Sequence, residues 1–83
     1  MFLHIGADKE VVARDVITIL NISTIDKSKI TQEFLQQAKG DGMIQTISQD
    51  PPKSIIIAKE NQKLILYLSP ISSITLQKRI INF

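Results

Sequence analysis

The sequence predicts a small α+β fold: a mostly antiparallel sheet with one central and one C-terminal helix, in the order β-β-α-β-β-β-α. Three observations carry that prediction. Two neighbouring apolar runs, Ile55–Ala58 and Leu64–Leu68, are rich in β-branched and aromatic side chains and read as a hairpin. The stretch from about residue 27 to 39 repeats its apolar side chains at helical spacing. Near the end, Ile71–Ile81 opens with serines and closes on Lys78 and Arg79, the pattern of a short helix capped at one end and basic at the other.

Taken in order, Phe2–Ile5 is a short strand ended by Gly6, and Ala7–Glu10 is a turn. Val11–Leu20 is extended but interrupted by Arg14 and Asp15. Adjacent charges cannot both enter a core unpaired, so the pair marks a bend, a bulge or an edge. One long strand and two short ones both fit. Asp26 is the predicted N-cap of the central helix, since a carboxylate accepts from free first-turn amides. Ile25 and Ile30 stand at staple spacing, and Ile30, Phe34, Leu35 and Ala38 share one stripe. Lys39 suits the last turn, and Gly40 or Gly42 supplies the left-handed stop. Met43–Ile47 is a short strand, and Pro51-Pro52 keeps Ser48–Pro52 from pairing centrally. The hairpin turn around Glu60–Lys63 lacks Gly, which favours a loop of about three to five residues over a tight primed turn. Ser72 or Ser73 caps the last helix, and the apolar tail Ile81–Phe83 is expected to dock on something.

The hairpin does not alternate cleanly. Side chains on a strand point to opposite faces with period two. One face carries Ile55, Ile57, Leu64, Leu66 and Leu68, and the other carries Ile56, Ala58, Ile65 and Tyr67. Both faces are apolar, as in a strand covered on both sides. Each large aliphatic side chain left in water forgoes roughly 1.5–3 kcal/mol of burial. A chain of 83 residues has little material to cover two faces. The second face is therefore expected to meet another copy, with Ile56, Ile65 and Tyr67 as the homo-oligomer interface.

Composition narrows the functional classes. Hydrophobic content of 43% with 22% charged residues fits one globular domain over residues 1–83 and argues against wholesale disorder. The absence of Cys removes disulfides, thiolate metal sites and cysteine nucleophiles together. No run approaches the ~20 apolar residues of a membrane span. Phe2–Ile5 is too short for a signal sequence, so a cytoplasmic protein without membrane contact is expected. The net charge of +2 is compatible with nucleic acid without indicating it. In an oligomer that charge multiplies.

Catalytic constellations are hard to find. His4, the sole histidine, has no Ser or Asp motif aimed at it, and a packed or surface histidine is the favoured reading. Asp8, Glu10 and Asp15 are interleaved with Lys9 and Arg14 and lack calcium-loop spacing, so they read as a solvated turn and not a metal site. Gly40-Asp41-Gly42 follows a helix instead of opening one, which makes it a C-cap and not a phosphate loop. An enzyme, a cofactor and a small-molecule substrate are all unexpected. The basic residues hold more interest. Arg14, Lys53, Lys78 and Arg79 lie at element ends, where Lys and Arg can hold phosphates in many geometries. The bland alternative is that they keep the surface soluble and complement helix C-termini. Aromatic stacking on single strands is not expected, because Phe2, Phe34, Tyr67 and Phe83 are scattered.

These residues also form a pattern. Ile5-Gly6, Val11 or Val12, Arg14-Asp15-Val16-Ile17, Glu33-Phe34-Leu35 and Lys53-Ser54-Ile55-Ile56 are followed by Leu68-Ser69-Pro70, Ser72-Ser73, Thr75-Leu76 and Lys78-Arg79. The pattern resembles the small bacterial extracellular-matrix regulatory proteins RemA and RemB over nearly the whole chain. The Ser-Pro-x-Ser-Ser-x-Thr-Leu-x-Lys-Arg tail resembles the RemB branch. What the resemblance implies is a transcriptional regulator of biofilm matrix genes, a homo-oligomer of ring type that binds double-stranded DNA. It also implies arginines just before the Ile-Thr-Ile strand and in the loop before the central hairpin. Here the first position falls near Arg14-Asp15, and the second on Asp50-Pro51-Pro52-Lys53, where only Lys53 is basic. The DNA-phosphate contacts expected are Arg14, Lys53, Lys78 and Arg79. The alternative is a ring-forming protein-interaction module that does not touch DNA.

Overall fold

The computed structural model describes residues 1–25 and 27–81, with the side chain of Ile81 outside that description. An antiparallel hairpin comes first, β1 (Phe2–Gly6) against β2 (Lys9–Val12), forming a two-stranded sheet of its own. Gly6 is obligatory at its turn. Its φ is +127°, and a Cβ there would lie 2.8 Å from Cδ of Pro70. At Arg14 the chain bends through a single 3₁₀ turn, Ala13–Asp15, before β3 (Val16–Asn21). The extended segment is thus two strands, broken where the two charges stand.

Two helices follow, where the sequence predicts one over about residues 27–39. The four-residue α1 (Ile22–Ile25) is held by Asn21, whose Oδ1 accepts from the Ser23 amide at 3.0 Å and from Ser23 Oγ at 2.8 Å. The longer α2 (Lys29–Gly40) has Ser28 as its N-cap, its Oγ accepting from the Thr31 amide at 3.3 Å. Capping there falls to Ser28, and Asp26 lies outside the described residues. The later start also rotates the buried face. Leu35 and Ala38 turn toward the sheet, whereas Ile30 is 80% exposed and Phe34 is also on the surface. The predicted staple from Ile25 to Ile30 does not form. Gly42, at φ +71°, provides the left-handed stop, and its amide donates to the Lys39 carbonyl at 3.2 Å.

The main sheet is completed by β4 (Ile44–Thr46), β5 (Ser54–Glu60) and β6 (Lys63–Ser69), in the spatial order β3-β5-β6-β4. All its pairings are antiparallel except β4 with β6. The β5–β6 turn is tighter than expected: Glu60 pairs with Lys63, and only Asn61 and Gln62 lie between, at φ 51° and 66°. Two positive φ values are the mark of a primed turn, whose twist suits the strands, and Asn enters that region at little cost. The last helix, α3 (Ser73–Ile81), is capped by Ser72, whose Oγ accepts from the Thr75 amide at 3.2 Å. The expected docking of the tail at Asn82 and Phe83 lies outside the described residues.

The two faces of the hairpin divide as their alternation demands. Ile55, Ile57 and Leu66 pack with Ile25 and Ala38 beneath α1 and α2. On the opposite face, Ile56, Ala58 and Tyr67 form one cluster with Leu3, Ile5 and Val11 of the β1–β2 hairpin and Leu76 of α3. This corrects the expected interface. Ile56 and Tyr67 are 0% and 1% exposed within the single chain, and Ile65 is partly buried against the same cluster. The hairpin asks for no second copy on this face, because β1 and β2 leave the main sheet to lie across it.

Two buried serines lock that cover in place. Ser54 and Ser69 face each other across β5 and β6, both 0% exposed. Ser69 Oγ donates to the Ile5 carbonyl at 2.6 Å and accepts from the Ile71 amide at 3.0 Å, while Ser54 Oγ donates to the Ile71 carbonyl at 2.7 Å. The hydroxyls thus satisfy the Ile5 carbonyl in a buried bond and the Ile71 amide and carbonyl in half-buried ones.

Candidate nucleic-acid interface

The four predicted cations are all exposed and come from three places. Arg14 sits on the 3₁₀ turn beside the start of β1, where it shares a shallow concavity with Met1 and Phe2. Arg79 donates from Nη1 to the carbonyl of His4 at 2.9 Å, so α3 is tied to the middle of β1. Arg14 and Arg79 therefore flank the same strand segment, Phe2–His4. Lys78 is adjacent in chain, about 100° around the helix from Arg79.

Lys53 is held at the other end of α3. Its amide donates to the Ser69 carbonyl at 2.7 Å, and its own carbonyl accepts from the Ile22 amide at 3.1 Å. The backbone is thereby fixed between β6 and α1, with the side chain outside. From Ser73 to Arg79 the helix rises about 9 Å, which separates Lys53 from the arginine pair. The structure thus brings Arg14 and Arg79 to one strand and leaves Lys53 apart. Among the described residues none of the four side chains is in an ion pair.

Other candidate residues have structural employment. The His4 ring donates from Nε2 to the Ala7 carbonyl at 2.7 Å, bracing the β1–β2 turn. Tyr67 donates its hydroxyl to Glu60 Oε2 at 2.6 Å, and Lys9 Nζ lies 5.1 Å from its ring centroid. Burial, then the hydrogen bond to the Glu60 carboxylate, then that carboxylate's charge push the phenol well above its ordinary value. The Gly40-Asp41-Gly42 segment ends α2, as its sequence position implies. Sequence reasoning misses Ser54 and Ser69 as positioning residues. Their signal is a polar side chain inside each of two otherwise apolar strand ends, a place where only a hydroxyl with backbone partners is stable.

What these features define is a small α+β protein whose sheet is covered on both faces and whose cations stay on the outside. A family model described as RemA-like, extracellular matrix regulatory protein A-like, matches residues 2–80. The chain belongs to that family. The match is to the family as a whole and does not separate its RemA and RemB branches. None of the curated proteins compared with the chain matches it. No helix among the described residues is long and apolar enough to cross a membrane.

Proposed function

We propose that the protein regulates extracellular matrix genes as a homo-oligomer that holds double-stranded DNA by its phosphates and senses DNA shape more than base edges. The observation supporting this reading is that Arg14, Lys53, Lys78 and Arg79 are exposed and, among the described residues, free of acidic partners. Such cations keep solution counterions that phosphates can replace, and each replacement releases ions. Repetition around an oligomer multiplies a modest monomer charge. The reading places the protein in the cytoplasm, with the DNA, and assigns it no reaction and no cofactor.

Duplex affinity measured across a salt series tests it. Binding falls steeply with salt, and Lys78→Glu/Arg79→Glu flattens the slope by about 0.9 for each phosphate no longer neutralised. Native mass of the same variant stays that of the parent. An affinity unchanged at low salt removes Lys78 and Arg79 from the surface. A second reading, a protein-interaction module that never touches DNA, is favoured by Phe2, Ile17, Ile30 and Ile74, each more than half exposed. An apolar interface of that kind binds with little salt dependence.

A further inference from the structure

A concavity of about 300 Å³ opens beside the N-terminus of α3, lined by Ser23, Pro52, Lys53, Ser73 and Ile74 among others and, among the described residues, by no Asp or Glu. In the first turn of this nine-residue helix, Ser72 takes up the Thr75 amide with its hydroxyl and the Leu76 amide with its carbonyl. The amides of Ser73 and Ile74 have no partner among the described residues. Free amides at a helix start favour an anion, and the helix dipole adds to them.

Ser73 supplies an independent sign. The residue is 6% exposed, yet its hydroxyl bonds to nothing among the described residues, and it is not sealed away from solvent. The residue lines the concavity. Neighbouring hydroxyls are already committed: Ser23 Oγ donates to Asn21 Oδ1 at 2.8 Å, and Ser72 Oγ donates to Thr75 Oγ1 at 2.9 Å. What remains at the site is a set of donors: two amides, the Ser73 hydroxyl and the ammonium of Lys53. Among the described residues no carboxylate lines the site. A neutral or cationic ligand would leave these groups unmatched, whereas an anion with several acceptor oxygens uses them all.

We propose that the start of α3, with Ser73 and Lys53, is a phosphate seat. Phosphate chemistry has two sources here, the backbone of a duplex and a free phosphate-bearing molecule. The duplex source rests on the DNA-binding reading above, while the seat itself rests on the donors.

Amide NMR of the full chain, titrated with inorganic phosphate and separately with a short duplex, tests the proposal. The Ser73 and Ile74 resonances shift with both ligands. Lys53→Gln weakens phosphate binding about tenfold and Ser73→Ala about threefold, with Ser72 still capping the helix in each. Amides that move with neither phosphate nor duplex overturn the seat, and duplex binding in that case spares the DNA reading. A phosphate response without duplex binding supports the seat, assigns it to a free phosphate-bearing molecule and removes the DNA reading. Wild-type phosphate affinity in a folded Lys53→Gln chain also overturns the seat, whatever becomes of Ser73→Ala.

Discussion

On one face of the central sheet, Ile56, Ala58 and Tyr67 are sealed beneath a strand hairpin and the last helix; on the other, Leu64 and Leu68 stay partly open beside α1 and α2. The first cover contributes Leu3, Ile5, Val11 and Leu76, all essentially without exposure. The second contributes Ile25 of α1 and Ala38 of α2, while Ile30 and Phe34 of α2 face outward. Apolar content in the covering segments does not explain the difference. The hairpin side is pinned by hydrogen bonds from Ser69 and Ser54 as well as by packing, so its approach to the sheet is fixed in distance. Two short helices with narrow buried stripes leave gaps at their flanks.

The sharpest way to break this contrast is a pair of truncations. Tyr67→Ala removes a fully buried ring and costs about 3–5 kcal/mol in urea unfolding, whereas Leu35→Ala, already partly in water, costs about 1–2. Equal losses would mean that the two faces are equally tight. Next in size is Ser69→Ala. It leaves the buried Ile5 carbonyl and the half-buried Ile71 amide without their partner, and a loss of about 1–3 kcal/mol is expected by the same measurement.

A smaller effect belongs to pH. Tyr67 is the one tyrosine, and there is no Trp, so phenolate absorbance reports it alone. Its proton is held more tightly in the folded chain than in the unfolded one, whose phenol titrates at about 10. The unfolded state therefore loses that proton first as alkalinity rises. Stability is full below pH about 10 and declines above it. Tyr67→Phe abolishes this alkaline decline, and a decline that persists in the variant would assign it to another group. The least effect is expected for Ile30→Lys, at most about 0.5 kcal/mol, because that side chain is already in solvent.

Much of this contrast can be read from residues. The alternation of Ile55–Ala58 and Leu64–Leu68 assigns each side chain to its correct face, and the charged Arg14-Asp15 pair marks the break between strands. The cover is where sequence reasoning goes astray. Nothing local in Phe2–Val12 says whether a hairpin extends a sheet or lies across it, since both choices bury Leu3, Ile5 and Val11. The close approach of Gly6 to Pro70 decides the matter, and it is a tertiary fact. The helix phase is lost for a related reason: Ile30, Phe34, Leu35 and Ala38 satisfy a stripe on paper, but Ser28 sets a start that turns Leu35 and Ala38 inward. For the cations, identity is legible in the chain and grouping is not. Lys53 and Arg79 stand at opposite ends of one helix, which only the docked position of α3 reveals.

The bond from Ser69 to the Ile5 carbonyl joins positions 64 residues apart, and Arg79 reaches His4 across 75. Bringing such distant segments together requires closing nearly the largest loop the chain offers, and topologies built on remote contacts fold slowly. While that closure is pending, Ile56, Ala58 and Tyr67 remain uncovered on a ready-made strand pair, the kind of surface on which folding chains stick to one another. The tightest face of the finished molecule is accordingly its most vulnerable one during synthesis.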